Sequence, residues 1–567
     1  MEEWQHHYLL ASKCLVENRH QASRRAAGLQ RSGEGVGALS ERFGCFIGSN
    51  ERTVAGDANG DDFIVALICC GQDMCRRGAG DIMFGRLPAE EDHETNGEVG
   101  RSHIARLLSY KGRVRFTLSA IAAAVGGQLV GDDADINGAT IDSRSVAPGQ
   151  LFVPIVAERD GHDFIEAAIA NGAGGFLSGV EAASINGPSA DPSGNPTVVP
   201  HIRVADTGQA LLDLGRVARA RLPEPVIGVT GSVGKTSTKD LIAAACGAGA
   251  PTHANPASFN NELGLPLTLI NAPSGTSITV LEMGARGPGH IADLCAIGAP
   301  TIGVVTRVAL AHGEFFGSLE GVAAAKGELI EALPSTGTAV LNADDPLVAA
   351  MAQRTDARVV TYGRERGDIR IENLVLDPLL RPSFELVGSG WRTSVALVAR
   401  GAHMAENAAA AVSVALAAGI DVADAVRGLA DAAVSPSRMS VEELDSGAVL
   451  IDDAYNANPT SVTAALHALT EVDVDRRIAV LGVMAELGDD TDALHRQIAE
   501  LAQGLGVRLI AVGAPAYGPS AEHVADRTHV AVALGLLATG DAVLVKGSLV
   551  AGLQQLADEL RRSNGGG

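Results

Sequence analysis

Read from its N-terminus, the chain changes character near residue 116. Beyond that point short apolar runs recur, separated by stretches whose apolar positions follow a helical period; before it, Phe63 to Cys70 is a short apolar run in an otherwise Gly-rich and charged text. The pattern predicts a helix over Leu118 to Gly127, an apolar strand Leu151 to Val156 behind the turn Pro148-Gly149, a surface loop over Ile185 to Pro196, and a helix near Gln209 to Arg221. Between about 223 and 437 the runs Val226 to Thr230, Ser277 to Leu281 and Thr301 to Val305 are continuously apolar, as in strands buried on both faces of a parallel sheet. After about 438 the alternation restarts with Ala448 to Ile451, Ile478 to Gly482, Leu509 to Val512 and Ala542 to Val545, each followed by helix-compatible sequence, which predicts a Rossmann-like domain. The expected class is α/β. Its parts are an N-terminal domain over 114–205, a central parallel-sheet domain over 206–438 and a C-terminal domain over 439–567, preceded by a poorly ordered extension, 1–113, or an over-extended translation start.

Composition narrows the functions. Hydrophobic residues make up 46% of the chain but aromatics only 3%, so aliphatic side chains must fill the core and stacking platforms for nucleic acid are not expected. The formal charge of −23 lies almost wholly beyond residue 113 and repels polyanions and anionic membranes. No basic flank leads into a signal core and no apolar stretch reaches the ~18 residues of a membrane span, so the cytoplasm is the expected compartment, without membrane insertion. Cys14, Cys45, Cys69, Cys70 and Cys75 precede residue 76 and only Cys246 and Cys295 follow, which argues against a disulfide framework in the body. The trio Cys69, Cys70 and Cys75 lacks a second pair or a histidine at ligand spacing and is not read as a metal cluster.

The sharpest chemical signal is Gly231-Ser232-Val233-Gly234-Lys235-Thr236-Ser237, directly after the run Val226 to Thr230. Glycines let backbone N–H groups turn towards phosphates, the helix start adds about half a positive charge, Lys235 can reach β/γ oxygens and Thr236 can ligate Mg²⁺. The first glycine is displaced from the common spacing, since position 229 is Val. A plain strand-to-helix turn does not require Gly, Lys and Thr in this order. Such a loop serves ligases, switches, kinases and motors alike, so its neighbours must decide. Glu282 follows a strand and falls at the carboxyl edge of a parallel sheet, where a second anionic group can share Mg²⁺, although a solvated loop glutamate is an equal reading of that residue alone. Thr306, His312 and the run Ala323-Ala-Ala-Lys326-Gly-Glu328 follow a further strand end.

Over roughly 116 to 560 the chain resembles the Mur ligase family. The resemblance rests on Asp142-Ser143-Arg144 with Pro148-Gly149, Asp160-Gly-His162-Asp163, the loop 231–237, Asn260-Asn261 with Gly264 and Pro266, and Glu282-Met-Gly-Ala-Arg286. His312, Lys326, Asp452-Asp-Ala-Tyr-Asn-Ala-Asn-Pro459, Glu486-Leu-Gly488 and Lys546-Gly-Ser548 complete it. The string from Asp452 to Pro459 is the most specific, and points to the member that joins D-alanyl-D-alanine to UDP-N-acetylmuramoyl-tripeptide rather than to siblings acting on folate or earlier peptidoglycan precursors.

The resemblance implies a three-domain ATP-dependent amide ligase, a monomer, forming an acyl phosphate and releasing ADP and phosphate. It implies nucleotide contacts at Gly231, Ser232, Val233, Gly234, Lys235, Thr236, Ser237, Asn261 and, on adenine, Asn407. It implies catalytic roles for Lys235, Glu282, His312, Lys326, Arg438 and Asp453, with Thr236, Glu282, His312 and a carbamylated Lys326 around two Mg²⁺ ions. An ammonium would repel Mg²⁺, whereas a carbamate presents anionic oxygens. Ser143, Arg144 and His162 are implied to hold the UDP-sugar-peptide, and an acidic protein must supply local donors for a pyrophosphate. Two departures, Val483 where Asp is usual and Leu549 where Arg is common, fall in the C-terminal domain and leave D-alanyl-D-alanine contacts unassigned. A non-catalytic nucleotide switch would use the same phosphate loop without needing Lys326, His312 and a C-terminal lobe.

Overall fold

The structure is a computed structural model and describes residues 116–179, 186–190, 196–309 and 316–563, all within one compact unit. The expectations for residues 1–113 and for His312 fall outside the described residues.

The first sheet has the strand order Gln128–Val130, His201–Arg203, Gly175–Ser178, Leu151–Phe152, Ala139–Thr140, with its first pair antiparallel and the rest parallel. The helix Leu118–Val125 packs on it; the Thr117 hydroxyl accepts the Ala120 N–H and left-handed Gly126 ends the helix. The segment read as a loop over Ile185 to Pro196 instead contains an antiparallel pair, Asn186–Ala190 with Pro196–Val198. A hairpin needs only backbone partners, so its Ser, Asn, Gly and Pro content concealed it.

The central sheet runs Thr252–Ala254, Ile278–Glu282, Val226–Thr230, Ile302–Val305, Thr338–Asn342, Arg358–Gly363, Ile369–Leu376, Pro382–Gly388, Trp391–Ala396. Neighbours are parallel up to Ile369–Leu376, and the last three strands form an antiparallel meander. The uniformly parallel pattern expected to 437 is corrected there. Ile369, Ile371, Phe384, Leu386 and Val395 bury one face of the meander against the Ala-rich helix His403–Ala417, leaving alternate positions to solvent. Val226–Thr230 lies between strands that follow it on either side, so its carboxyl end is the switch point where the chain's connections diverge.

The C-terminal sheet has the order Ser440–Glu443, Val449–Asp452, Asp541–Lys546, Arg476–Leu481, Arg508–Val512, Glu522–Val524, parallel except at its first edge. Aliphatic clusters cover both of its faces. The four central strands match the apolar runs; the edge strands Ser-Val-Glu-Glu and Glu-His-Val were too short and polar to register. Among the described residues no helix is long and apolar enough to cross a membrane.

Candidate active site

The phosphate loop is a strand end forced into a tight turn. Gly231 has φ +148 and Gly234 φ +83, conformations that favour glycine. A Cβ on Gly231 would also lie 2.0 Å from the Thr306 hydroxyl. That hydroxyl donates to the Val233 carbonyl at 2.7 Å, the Ser232 N–H donates to the Arg307 carbonyl at 2.7 Å, and the Ser232 hydroxyl donates to the Ala309 carbonyl at 2.8 Å. The segment 306–309 is held in turn by Asn342, which donates to the Thr306 carbonyl, and by Asp345, which accepts the Val308 N–H at 2.9 Å. The helix Lys235–Gly247 starts at Gly234, with Thr236 and Ser237 buried at its first turn. Lys235 donates from Nζ to the Gly231 carbonyl at 2.8 Å, folding its head back over the loop. Burial depresses its pKa, Glu282 opposes the depression and Arg438 adds to it, so these three side chains share one electrostatic field.

Glu282 ends the strand beside the loop, in register with Val229, and is 1% exposed. Its N–H donates to Asn255 Oδ1 at 2.8 Å and its Oε1 accepts from Asn260 Nδ2 at 2.7 Å. Its Oε2 is buried and has no hydrogen-bond partner. A carboxylate oxygen left bare in the interior is costly unless a cation or donor completes it. Among the described residues no three His, Cys, Asp or Glu form a metal cluster. Thr236 and Glu282 together fit Mg²⁺, which binds through few protein oxygens and completes its shell with phosphate and water. Lys326, 2% exposed on the helix Leu319–Glu331, faces the same charges: burial and then Lys235 push its pKa down to about 7, against Glu328 and Glu282. Its Nζ lies 5.7 Å from the Phe316 ring centre.

From the C-terminal side, Arg438 stacks over the Tyr455 ring at 4.1 Å, and the Tyr455 hydroxyl hydrogen-bonds Ser258, near Asn260. Arg438 sits between Ser437 and Met439, which hold φ +53 and +58. Asp453 accepts the Met439 N–H at 3.1 Å and the Lys546 ammonium at 2.5 Å, and Lys546 also donates to the Asn456 carbonyl at 2.8 Å. Val483 lies beside this group, its carbonyl taking the Ser548 N–H at 2.9 Å, and Leu549 opens the following short turn.

The structure thus brings the loop 231–237, Glu282, Lys326 and Arg438 into one field. Asn407 is buried next to Gly234, where a Cβ would meet its Oδ1 at 3.0 Å. Asn261 caps the short helix Gly264–Ile270 by accepting the Gly264 N–H at 2.9 Å, while the neighbouring Asn260, part of the family resemblance but given no role from sequence, holds Glu282. The remaining residues sit on the first sheet's loops. Ser143 is buried, and Arg144 forms a two-pronged pair with Asp142 at 2.9 and 3.1 Å. His162 is bonded at both ring nitrogens, to Asp160 at 2.5 Å and to the Gly179 N–H at 3.0 Å. The backbone and ring of His162 in turn lower the Asp160 pKa.

Two family models match the chain: the Mur ligase middle domain over residues 229–415 and the Mur ligase glutamate ligase domain over 437–549. A UDP-N-acetylmuramoyl-tripeptide–D-alanyl-D-alanine ligase of Mycobacterium tuberculosis is 41% identical over 499 residues, covering 79% of this chain and 98% of that protein. The Escherichia coli protein of the same name is 33% identical, covering 79% and 99%. Crystal structures of MurF from Acinetobacter baumannii and, in complex with ADP, from Thermotoga maritima superpose with TM-scores of 0.70 and 0.63 at 26% and 28% identity. They cover 80% and 75% of this chain and 100% and 98% of those chains.

Proposed function

The chain belongs to the Mur ligase family, and from that premise we propose how its residues carry the reaction of the MurF-type member. It is an ATP-dependent ligase that adds D-alanyl-D-alanine to UDP-N-acetylmuramoyl-tripeptide in peptidoglycan precursor synthesis. The supporting observation is Glu282, a buried carboxylate with one bare oxygen, at the end of the strand next to the phosphate-loop strand, where its charge acts on Lys235.

A carboxylate and ATP repel each other, so the pocket must first offset their charge. The backbone of 231–237 and Lys235 would hold the phosphates, and Asn407, buried next to Gly234, would contact the adenine. Thr236, Glu282, a carbamylated Lys326 and His312 would hold Mg²⁺, which when bound withdraws charge from the γ-phosphate and the attacking oxygen. Arg438 enters from the linker as a further cation. Ser143, Arg144 and His162, on loops of the first sheet, would hold the UDP end of the sugar-peptide, with Asp142 releasing Arg144 to a pyrophosphate. The terminal carboxylate oxygen attacks the γ-phosphorus and ADP departs. The amine of D-alanyl-D-alanine then attacks the acyl phosphate, loses a proton and expels phosphate. Asp453, fixed by Lys546, borders the C-terminal side of this pocket. Asn261 acts from its cap by fixing the turn that presents Asn260 to Glu282.

We divide the working parts at 114–205, 206–438 and 439–567. The family resemblance implies a monomer, and the need for ATP and a UDP-linked substrate implies work in the cytoplasm. Phosphate release from ATP is expected to require both UDP-N-acetylmuramoyl-tripeptide and D-alanyl-D-alanine. Release that persists when either is omitted, in a coupled phosphate assay, would overturn the reading.

A further inference from the structure

One buried charge is unused by this mechanism. Lys239, the fifth residue of the phosphate-loop helix, is 3% exposed. Its Nζ contacts the Asp240 carboxylate at 2.7 Å and donates to the Asn255 carbonyl at 2.9 Å and the Ala257 carbonyl at 3.3 Å. Burying a lysine is costly unless its donors are satisfied and its charge is matched. Two carbonyl oxygens and one carboxylate do that here. The other oxygen of Asp240 reaches across the sequence and accepts both the N–H and the hydroxyl of Ser435 at 2.8 Å.

Ser435 begins the linker that carries Arg438. The far end of that linker is gripped by the C-terminal domain: the Ser437 hydroxyl donates to Asp452 at 3.1 Å, and the Met439 N–H to Asp453. Between these grips Ser437 and Met439 occupy left-handed conformations, each unfavourable for a residue with a side chain. Such geometry persists only where the surroundings over-determine it. The hydrogen bonds also form an unbroken chain in the other direction, because Asn255, whose carbonyl Lys239 holds, receives the Glu282 N–H.

We infer that Lys239 and Asp240 are positioning residues that tie the linker bearing Arg438 to the nucleotide-binding helix, so that Arg438 is set by the same helix that sets Lys235. The inference rests on the role given above to Arg438. Asp240, with its two oxygens engaged by Lys239 and Ser435, acts through Ser435.

The test compares Asp240→Ala, Ser435→Ala, Arg438→Ala and the pairs of each with Arg438→Ala in the full chain. Turnover, direct ATP affinity and thermal midpoint are measured for each. Asp240→Ala is expected to lower kcat about tenfold, because a misplaced group acts through geometry rather than binding. ATP affinity is expected to stay within about twofold. Combined with Arg438→Ala, either linker substitution should add little further loss, since the group it positions is already gone. Unchanged kcat in Asp240→Ala beside a strong loss in Arg438→Ala would overturn the inference alone. Parallel loss of kcat and ATP affinity, or losses that add fully to that of Arg438→Ala, would overturn it too. Full turnover by Arg438→Ala would instead overturn the assignment of Arg438 and this inference with it. Should Asp240→Ala not fold, Ser435→Ala, which removes only the hydroxyl bond, is read by the same comparison, with a smaller expected loss.

Discussion

Replacing Lys235 with alanine is expected to lower kcat by about a hundredfold or more, with the thermal midpoint little changed. The side chain is half-buried and bonded only to the Gly231 carbonyl, so truncation leaves no elaborate network broken. What is lost is a fixed cation whose field overlaps that of Glu282 and Arg438 and which, in the proposed reaction, faces the charge that moves from the γ-phosphate to ADP. A donor aimed at developing charge in a dry pocket is worth about 3 to 4 kcal/mol of barrier, far more than the same contact in water. Steady-state turnover at saturating substrates checks this. Near-normal turnover would remove Lys235 from the reacting centre.

The second large effect concerns Lys326. Its amine is buried, and desolvation together with the neighbouring Lys235 brings its pKa down to about 7. A neutral amine can add to CO₂ and lose a proton to give a carbamate; a protonated one cannot. At a fixed dissolved CO₂ level, carbamate should therefore form more readily as pH rises through about 7 and less readily below it. The product would turn a cation that repels Mg²⁺ into an anion that can share Mg²⁺ with the half-used carboxylate of Glu282. Lys326→Ala is expected to cost about a hundredfold in kcat, comparable to losing one charge-stabilising group. The unaltered enzyme should lose activity after equilibration in CO₂-free buffer and regain it with bicarbonate. Indifference to CO₂, together with active Lys326→Ala, would count decisively against the carbamate.

Much of this arrangement is legible in the chain because its chemistry constrains residue order. Only Gly, Lys and Thr at 231–236 turn a strand end into a phosphate cradle, and the strands that frame it are continuous apolar runs. Other parts are hidden for physical reasons. Asn260 and Asn261 are adjacent, and nothing in their spacing reveals that the first holds Glu282 while the second caps a helix. Lys239 and Asp240 carry no signal in the chain itself, since the groups that hold them, Asn255, Ala257 and Ser435, lie elsewhere in the sequence. The stack of Arg438 on Tyr455 and the left-handed turn around it are likewise products of tertiary packing. The meander at 369–396 escaped notice because strands covered on one face alternate instead of running continuously apolar.

The central claim is that this pocket lets a carboxylate oxygen attack phosphorus. It is tested most directly with tripeptide substrate carrying ¹⁸O in its terminal carboxylate. One labelled oxygen is expected in the phosphate released during a single turnover, detected by mass spectrometry. Phosphate free of label, beside normal amide formation, would contradict it.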